Sequence, residues 1–332
     1  MRKLQKNRLR GTFFVLPAFL LHFCVIVIPA CSMFYYAMTD WNGLSQPNFV
    51  GFDNFARMIK DTDFLFAIRN NLIWTLLFMT VPLVLGLGMG LIFVRAGKIQ
   101  MPLRALCFLP YVISAAISGK IFTVFYSPYS GIATIFQQLG IESLSDFAPL
   151  GDQNQALYAA AFVDNWHWWG FVLVLMMSAL HQVDSSLYEA AKIEGANPFQ
   201  TLVHVTLPQI KPTITSYFVF VVIATFTTFD YVWIMTQGGP AGATELLSTR
   251  IYKTSFLNNE AGYGSAMSLS VCLFALLVYA VLKKKSRERW ERRNEAVAKE
   301  EGGNDPPCLH RGDYHSDTYY SSACYPVEFF SL

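Results

Sequence analysis

The chain has 332 residues, of which 53% are hydrophobic and only 14% are charged. Because soluble domains carry about 25% charged residues, this composition argues against an ordinary soluble protein and predicts a membrane protein. The formal net charge of +2 is too small to indicate a nucleic-acid partner, and the six cysteines lack the paired spacing of a zinc site or a disulfide framework.

About six apolar segments are long enough to cross a bilayer, since a membrane helix needs about 20 mainly apolar residues. In chain order they cover approximately residues 12–38, 72–94, 103–126, 156–180, 213–235 and 266–282. Pro82, Pro110, Gly86, Gly88 and Gly90 lie inside these segments and predict close helix packing or kinks. The sequence therefore predicts an all-α polytopic membrane protein.

Lysine and arginine gather on alternate connections, which indicates the cytoplasmic side of the membrane. They precede the first span, follow the second, fourth and sixth spans, and are absent from the connection at 127–155. Both termini are therefore expected in the cytoplasm. A lipoprotein-type signal peptide ending at Cys31 is a competing interpretation of the first span. The apolar run continues past Cys31 to Met38, which favours an uncleaved helix.

The cytoplasmic connection at 182–212, here called the knuckle, is patterned like two short helices. Ser186 followed by Glu189 predicts a capping box that starts the first helix near Leu187. Gly195 suits the left-handed turn that ends a helix. The first half of the knuckle is therefore expected to be one short helix with a sharp end.

The second half of the knuckle carries its own start and stop signals. Asn197 predicts a helix cap, and Pro198 suits the first helical position. Leu207 and Pro208 are expected to end this helix, because proline lacks the backbone N–H. Together the two halves predict a helix-turn-helix element on the cytoplasmic face.

Three short motifs of the knuckle, Glu189-Ala190-Ala191, Gly195-Ala196 and Leu207-Pro208, resemble the EAA loop of ABC importer permeases. That family usually has aspartate at the position of Glu194, which keeps the charge. The resemblance implies a loop that docks on a cytoplasmic ATPase subunit. The coupling residues it assigns are Glu189, Ala190, Ala191, Glu194, Gly195, Ala196, Leu207 and Pro208.

ATP chemistry is not expected in this chain, because the sequence contains no G-x-x-x-x-G-K-[ST] phosphate-binding loop. The resemblance places ATP and magnesium in the partner ATPase and assigns this chain no cofactor, metal or catalytic residue. The implied assembly contains a second permease subunit, an ATPase dimer and an extracytoplasmic sugar-binding protein, in the inner membrane of a bacterium or archaeon.

Further stretches resemble the carbohydrate-uptake branch of the family, the maltose and glycerol-phosphate type permeases. They lie at residues 49–55, 108–111, 229–230, 236–240 and 262–264. The resemblance implies the type I ABC importer permease fold and half of a translocation pathway for a sugar or oligosaccharide. Gly238, Gly239 and Pro240 are typical of a turn, and we expect this turn to shape the external mouth.

Ionisable groups inside a span are costly to hold in lipid, so they are candidates for function. The polar-aromatic run at 164–169 suits a sugar, because aromatic rings cover C–H surfaces while carboxylates and amides bond hydroxyl groups. The predicted pathway residues are Asp164, Asn165, Trp168, Thr227, Asp230 and Tyr231. Two alternatives stay open, an interfacial aromatic belt at Trp166 to Trp169 and a structural ion pair between Lys120 and Asp230.

These predictions divide the chain into a basic N-terminus at 1–11, a transmembrane permease domain at 12–285, and a basic flank with a disordered tail at 286–332. Other functions also fit the sequence. The same importer class carries amino acids, peptides and glycerol phosphate, and an ion-coupled secondary transporter is a more distant alternative.

Overall fold

The computed structural model describes residues 15–141 and 146–300, with the backbone alone for residues 282, 283 and 285–300. The predicted N-terminal segment at 1–11 and most of the predicted tail lie outside the described residues. Apart from one isolated bridge between Thr39 and Phe49, the regular structure of the described part is helical. The chain divides into two units, Met1–Ala275 and Leu276–Leu332.

Twelve helices, α1 to α12, are named here in chain order within the described part. The first six are Val15–Tyr36, Asp53–Lys60, Thr62–Phe93, Gln100–Val112, Ala115–Phe125 and Ile132–Gln138. The next two, α7 and α8, are Ala156–His181 and Ser185–Ile193. Helix α9 joins Pro198–Thr201, the π-helical turn Leu202–Thr206 and Leu207–Thr227, and it is followed by α10 (Asp230–Met235), α11 (Leu247–Tyr252) and α12 (Ala261–Glu300).

Four stretches of the described chain are long and apolar enough to cross a membrane. They are α1, α3, Pro198–Met235 and Ala261–Val281. Two bent pairs bring the total to six if each pair is one span: Gly97–Val112 with α5, bent by 87°, and α7 with α8, bent by 71°. The predicted number of about six spans lies at the upper end of this range.

The predicted third span, at 103–126, is not one continuous helix. Helix α4 ends where Ile113 takes an extended conformation with ψ of 136°, and Ser114 caps α5 by accepting a hydrogen bond from the Ile117 backbone N–H. Pro110 lies in the last turn of α4, and a proline weakens the helix around it. The two halves therefore meet at an angle instead of forming one rod.

Two further boundaries differ from the sequence prediction. Helix α3 begins at Thr62, well before residue 72, because Asp61 caps it by accepting from the N–H groups of Asp63 and Phe64. The predicted fifth span, at 213–235, breaks after Thr227, where Thr228 is extended. Hydropathy locates the apolar centre of a helix, whereas its ends depend on local hydrogen bonds.

Helices α3 and α7 run side by side and form the core of the first unit. A side chain at Gly86 of α3 would place its Cβ 2.8 Å from the Leu173 backbone nitrogen, so the small residue permits this approach. Trp74 and Met176 are fully buried in the same core. The predicted role of Gly86 in close packing is confirmed, whereas Gly88 meets no atom within 4 Å.

Candidate coupling knuckle and translocation path

The first helix of the knuckle, α8, begins two residues before the predicted start near Leu187. Asp184 caps it by accepting a 2.9 Å hydrogen bond from the Ser186 backbone N–H. This bond holds the pKa of the exposed Asp184 carboxyl below its usual value. The predicted capping box of Ser186 and Glu189 is therefore wrong, because an aspartate two residues earlier already occupies the capping position.

The turn that ends α8 agrees with the prediction for Gly195. Its φ of +76° lies in the left-handed region, which only glycine adopts without strain. The Ala196 N–H donates to the Ala191 carbonyl at 2.9 Å, and the Gly195 N–H donates to Lys192 at 3.1 Å. These two bonds form a Schellman motif. The turn is therefore rigid and fixes where the second half of the knuckle starts.

The second helix starts as predicted but does not stop as predicted. Asn197 and Gln200 exchange two hydrogen bonds of 2.8 Å in a capping box, with Pro198 at the first turn. The helix then continues past Leu207 and Pro208 into the long α9. The π-helical turn before Leu207 places Pro208 in the first turn of the next helical segment, where a missing N–H is tolerated.

The knuckle keeps one side packed and exposes the other. Ala191 is buried, and the Tyr188 hydroxyl lies 3.3 Å from the Thr206 hydroxyl, which ties α8 to the start of α9. In contrast, Ile193 is 86% exposed and Phe199 is 72% exposed. These two exposed apolar side chains lie on either side of the Gly195 turn.

The residues predicted to line the substrate path come partly together around α7. Asp164 and Asn165 are both buried, and the Trp74 Nε1–H of α3 donates to Asp164 Oδ2 at 3.2 Å. Asp230 is exposed at the start of α10 and interacts electrostatically with Asp164. Tyr231, which is buried, interacts electrostatically with both carboxyl groups. Asp164, Asp230 and Tyr231 therefore form one polar group at the junction of α7 and α10. Asn165 follows Asp164 on α7, and its side chain donates to the Ala161 carbonyl of the same helix at 2.7 Å.

Trp168 has a different environment from Asp164. Its ring lies 5.8 Å from Phe78, 5.6 Å from Tyr111, 5.3 Å from Phe171 and 5.4 Å from Phe220, measured between centroids. The half-buried indole therefore belongs to an aromatic cluster between helices. These contacts give Trp168 a packing role within the chain.

Two other candidates stand apart from the polar group. The Thr227 side chain is exposed and donates back to the Ile223 and Ala224 carbonyls of its own helix. Lys120 is exposed on α5, and among the described residues no ion pair joins it to Asp230. The alternative of a structural Lys120–Asp230 pair is therefore wrong for this chain alone.

The predicted turn at 238–240 is present. Gly238 has a φ of +85°, as a tight turn requires, and the Thr236 and Thr244 hydroxyls lie 2.7 Å apart. The buried Asn70 side chain of α3 donates to the Ala243 and Glu245 carbonyls at 3.0 Å each. Asn70 was not identified from the sequence as a residue that holds the segment after the turn. Its position just before an apolar run is a signal that could have indicated this role.

A charged cluster holds the start of α3, at the end of that helix opposite the knuckle. Arg250 Nη2 lies 3.3 Å from Asp61 Oδ2, and the Tyr263 hydroxyl donates to the same oxygen at 2.8 Å. Burial alone would raise the pKa of the Asp61 carboxyl. The hydrogen bonds from Tyr263 and Phe64 and the charge of Arg250 outweigh burial and hold that pKa below its usual value.

Comparison with known sequences places the chain among transport proteins. Residues 72–287 match the family model described as binding-protein-dependent transport system inner membrane component. The chain is 35% identical over 272 residues to the diacetylchitobiose uptake system permease protein of Streptomyces coelicolor, covering 77% of each. It is 30% identical to the multiple sugar-binding transport system permease protein of Streptococcus mutans, covering 86% of this chain and 97% of that protein.

Comparison with solved structures gives the same fold. A bacterial ABC transporter involved in the import of the acidic polysaccharide alginate matches with a TM-score of 0.74 and 21% identity, covering 86% of this chain and 98% of that chain. The alginate transporter in complex with an alginate pentasaccharide-bound periplasmic protein matches with a TM-score of 0.75 and 20% identity, covering 86% and 96%. At this identity the match concerns the fold.

Proposed function

Because the chain belongs to the family of binding-protein-dependent transport system inner membrane components, we propose that it is the permease subunit of an ABC importer for sugars or oligosaccharides. The relatives named above include permeases for diacetylchitobiose and for multiple sugars. We propose that the chain couples to an ATPase subunit through the knuckle. The observation that supports this is the Schellman turn of the knuckle, which lies between exposed Ile193 and exposed Phe199.

The knuckle is proposed to contact the ATPase subunit. Within the described part of the chain Ile193 and Phe199 are exposed, while Ala191 is buried and Tyr188 contacts Thr206 of α9. A rigid element that docks on a moving partner transmits the movement to the helices attached to it. In this proposal ATP and magnesium are bound by the partner, and α7 and α9 receive the movement on either side of the knuckle.

The finer topology is also part of the proposal. The bent pair Gly97–Val112 with α5 counts as one span and α7 counts as another, with α8 outside the bilayer, which gives six spans and leaves both termini in the cytoplasm. The lysine and arginine distribution supports this orientation, because it puts the knuckle on the cytoplasmic side. The turn at 238–240 and the Asp61–Arg250 cluster then lie on the outer side, where a sugar-loaded binding protein delivers its cargo.

The substrate path is proposed to pass the polar group of Asp164, Asp230 and Tyr231, with Asn165 beside it. A buried carboxyl with a single indole donor retains free acceptor sites, and the Asn165 Oδ1 atom has no hydrogen-bond partner within the described chain. Sugar hydroxyl groups supply the missing donors. The second permease subunit would complete the path opposite Asp230, whose exposure in the single chain fits that arrangement.

Reconstitution tests this function directly. The chain is co-expressed with a second permease, an ATPase and a sugar-binding protein of the same importer, and the complex is placed in proteoliposomes. We expect ATP hydrolysis and uptake to rise when the binding protein is loaded with diacetylchitobiose or maltose. Stimulation by an amino acid or peptide, with none by any sugar tested, would reject the sugar assignment while keeping the importer class.

A further inference from the structure

The break between α4 and α5 exposes backbone groups inside a span. At a helix end the last carbonyls lose their intrahelical donors, and an unsatisfied carbonyl in lipid costs several kcal/mol. The Ile113 carbonyl lies at this break. His167 of α7 satisfies it, because His167 Nε2 lies 2.9 Å from the Ile113 carbonyl oxygen. A side chain from a third helix, α7, therefore supplies the hydrogen-bond donor at the break between α4 and α5.

The chemistry of this contact fixes the state of the imidazole. A carbonyl oxygen accepts only, so Nε2 carries the hydrogen and donates it. The opposite nitrogen, Nδ1, is buried and has no partner within the described chain. The His167 ring also packs between Tyr111, at 5.3 Å, and Tyr231, at 6.0 Å between centroids. Position and tautomer are thus both determined by the surroundings.

The two helices at the break are fastened to different neighbours. Helix α4 is fastened to α7, because Gly170 of α7 packs directly against the Cys107 backbone. The Tyr111 ring, also on α4, stacks on Phe171 at 5.2 Å. Close packing of this kind moves α4 and α7 together.

Helix α5 packs closely against α10. A Cβ at Gly119 would lie 3.3 Å from the Ile234 side chain. Helix α5 also touches α7 through Phe122 and Trp166, whose centroids lie 5.1 Å apart. Helix α10, which packs against α5, carries Asp230 and Tyr231.

We propose that His167 is a positioning residue: its hydrogen bond to Ile113 sets the bend between α4 and α5, and through α5 it sets where α10 presents Asp230 and Tyr231 to the sugar path. This inference rests on the proposed sugar path for its effect on transport. Its effect on the bend does not depend on the substrate.

The first test measures the break without any substrate. His167→Phe keeps a ring between Tyr111 and Tyr231 but removes the donor, whereas His167→Gln keeps a donor. Hydrogen–deuterium exchange followed by mass spectrometry is measured on residues 110–120 in the assembled complex. We expect exchange about tenfold faster in His167→Phe, the factor for losing one buried hydrogen bond. His167→Gln should stay within about threefold of the wild type.

His22→Leu is the matched control, since His22 is exposed on α1 and forms no hydrogen bond within the described chain. It should exchange like the wild type. Equal exchange at 110–120 in the wild type and His167→Phe would overturn the proposal. If His167→Phe does not accumulate, His167→Asn, with a shorter donor, replaces it and should exchange faster than His167→Gln.

The second test asks whether His167 positions the path. ATP hydrolysis is measured with the binding protein loaded with diacetylchitobiose. We expect His167→Phe to lower the maximal stimulated rate about tenfold, with unchanged unstimulated hydrolysis and an unchanged half-saturating concentration of binding protein. His167→Gln should restore most of the rate. Changed exchange with normal stimulation would overturn the positioning role, whereas failure of the wild type to respond to sugars would count against the proposed function alone.

Discussion

The indole Nε1–H of Trp74 donates a hydrogen bond of 3.2 Å to Asp164 Oδ2, and it joins α3 to α7 at a buried point. The Thr75 hydroxyl, on the next residue of α3, lies 2.8 Å from the Thr225 hydroxyl, so the Trp74–Asp164 contact is one of several buried polar contacts in the core of the first unit. A hydrogen bond within a protein typically contributes about 0.5–1.5 kcal/mol, and a buried donor left without an acceptor costs about 1–3 kcal/mol. The pair therefore both stabilises the helix contact and holds the Asp164 carboxyl in place.

Replacing Asp164 should impair transport in a graded way. Asp164→Asn keeps an acceptor for Trp74, so we expect normal abundance and uptake lowered about threefold to tenfold. Asp164→Leu leaves the indole without an acceptor, so uptake should fall more than about tenfold. Asp230→Asn should raise the half-saturating sugar concentration without changing abundance. Uptake by proteoliposomes is the measurement, and Asp146→Asn, an exposed carboxylate away from this group, is the control.

Unchanged uptake in both Asp164→Leu and Asp230→Asn, at equal protein abundance, would remove these carboxyl groups from the path.

Gly195→Ala should uncouple transport from ATP hydrolysis. The left-handed φ of +76° strains any other residue by about 1–2 kcal/mol, although an added Cβ meets no atom within 4 Å. The substitution therefore disturbs the turn of the knuckle without a steric clash. We expect sugar-stimulated ATP hydrolysis to fall several-fold while the binding of the sugar-loaded binding protein is retained.

Gly140→Ala is the matched control for Gly195→Ala. Gly140 has a φ of +74° and also has open space around its Cβ position, so it carries the same backbone strain outside the knuckle. It should leave stimulated hydrolysis close to the wild-type value. Equal losses in the two variants would mean that strain, and not the knuckle, causes the effect.

Gly170→Ala should destabilise the contact of α4 with α7. An added Cβ would collide with the Cys107 backbone carbonyl, which cannot move away as a flexible side chain can. We expect a loss of about 1–3 kcal/mol, typical of overpacking with a backbone shift. Gly88→Ala, with no atom within 4 Å, should be neutral or stabilising by about 0.5–1 kcal/mol.

Thermal unfolding in detergent and membrane abundance measure both glycine variants. A Gly170→Ala protein with the melting temperature of Gly88→Ala would contradict the close approach.

Asp61 should make stability depend on acidic pH. Its pKa in the folded chain is depressed below the ordinary 3.8, so the carboxylate stabilises the fold above that value. This contribution is lost as the pH falls through the depressed pKa. We therefore expect the melting temperature to fall as the pH drops below 3.8 and through the depressed pKa of Asp61.

Asp61→Asn isolates the charge, because asparagine caps a helix as well as aspartate does. The variant should have a lower melting temperature than the wild type at neutral pH, and its melting temperature should fall less when the pH is lowered. Asp63→Asn is the comparison, since Asp63 also faces Arg250, at 3.0 Å, but its side chain is 64% exposed, where ion pairs contribute little. An identical acid response in the wild type and Asp61→Asn would reject the assignment.

Local signals in the sequence predicted local structure well. Gly195 and Asn197 were identified from residue type alone, because a left-handed turn and a helix cap depend on a few neighbouring atoms. The predicted capping box of Ser186 and Glu189 is wrong because the Asp184 side chain accepts from the Ser186 backbone N–H and the helix already starts at Ser185. The stop at Pro208 failed because a π-helical turn allowed the helix to continue.

The sequence by itself determined that the chain is a helical membrane protein with a knuckle between its fourth and fifth apolar segments. Those conclusions follow from hydropathy and from short-range hydrogen bonding. Both depend only on residues within a stretch of about 20, so the sequence of that stretch is enough to predict them. The tertiary structure decided which polar groups meet. Trp74 reaches Asp164 and His167 reaches Ile113 across separate helices, because helix packing brings together residues that no local spacing relates. The same packing placed Trp168 in an aromatic cluster and left Asp230 exposed at the edge of the proposed path.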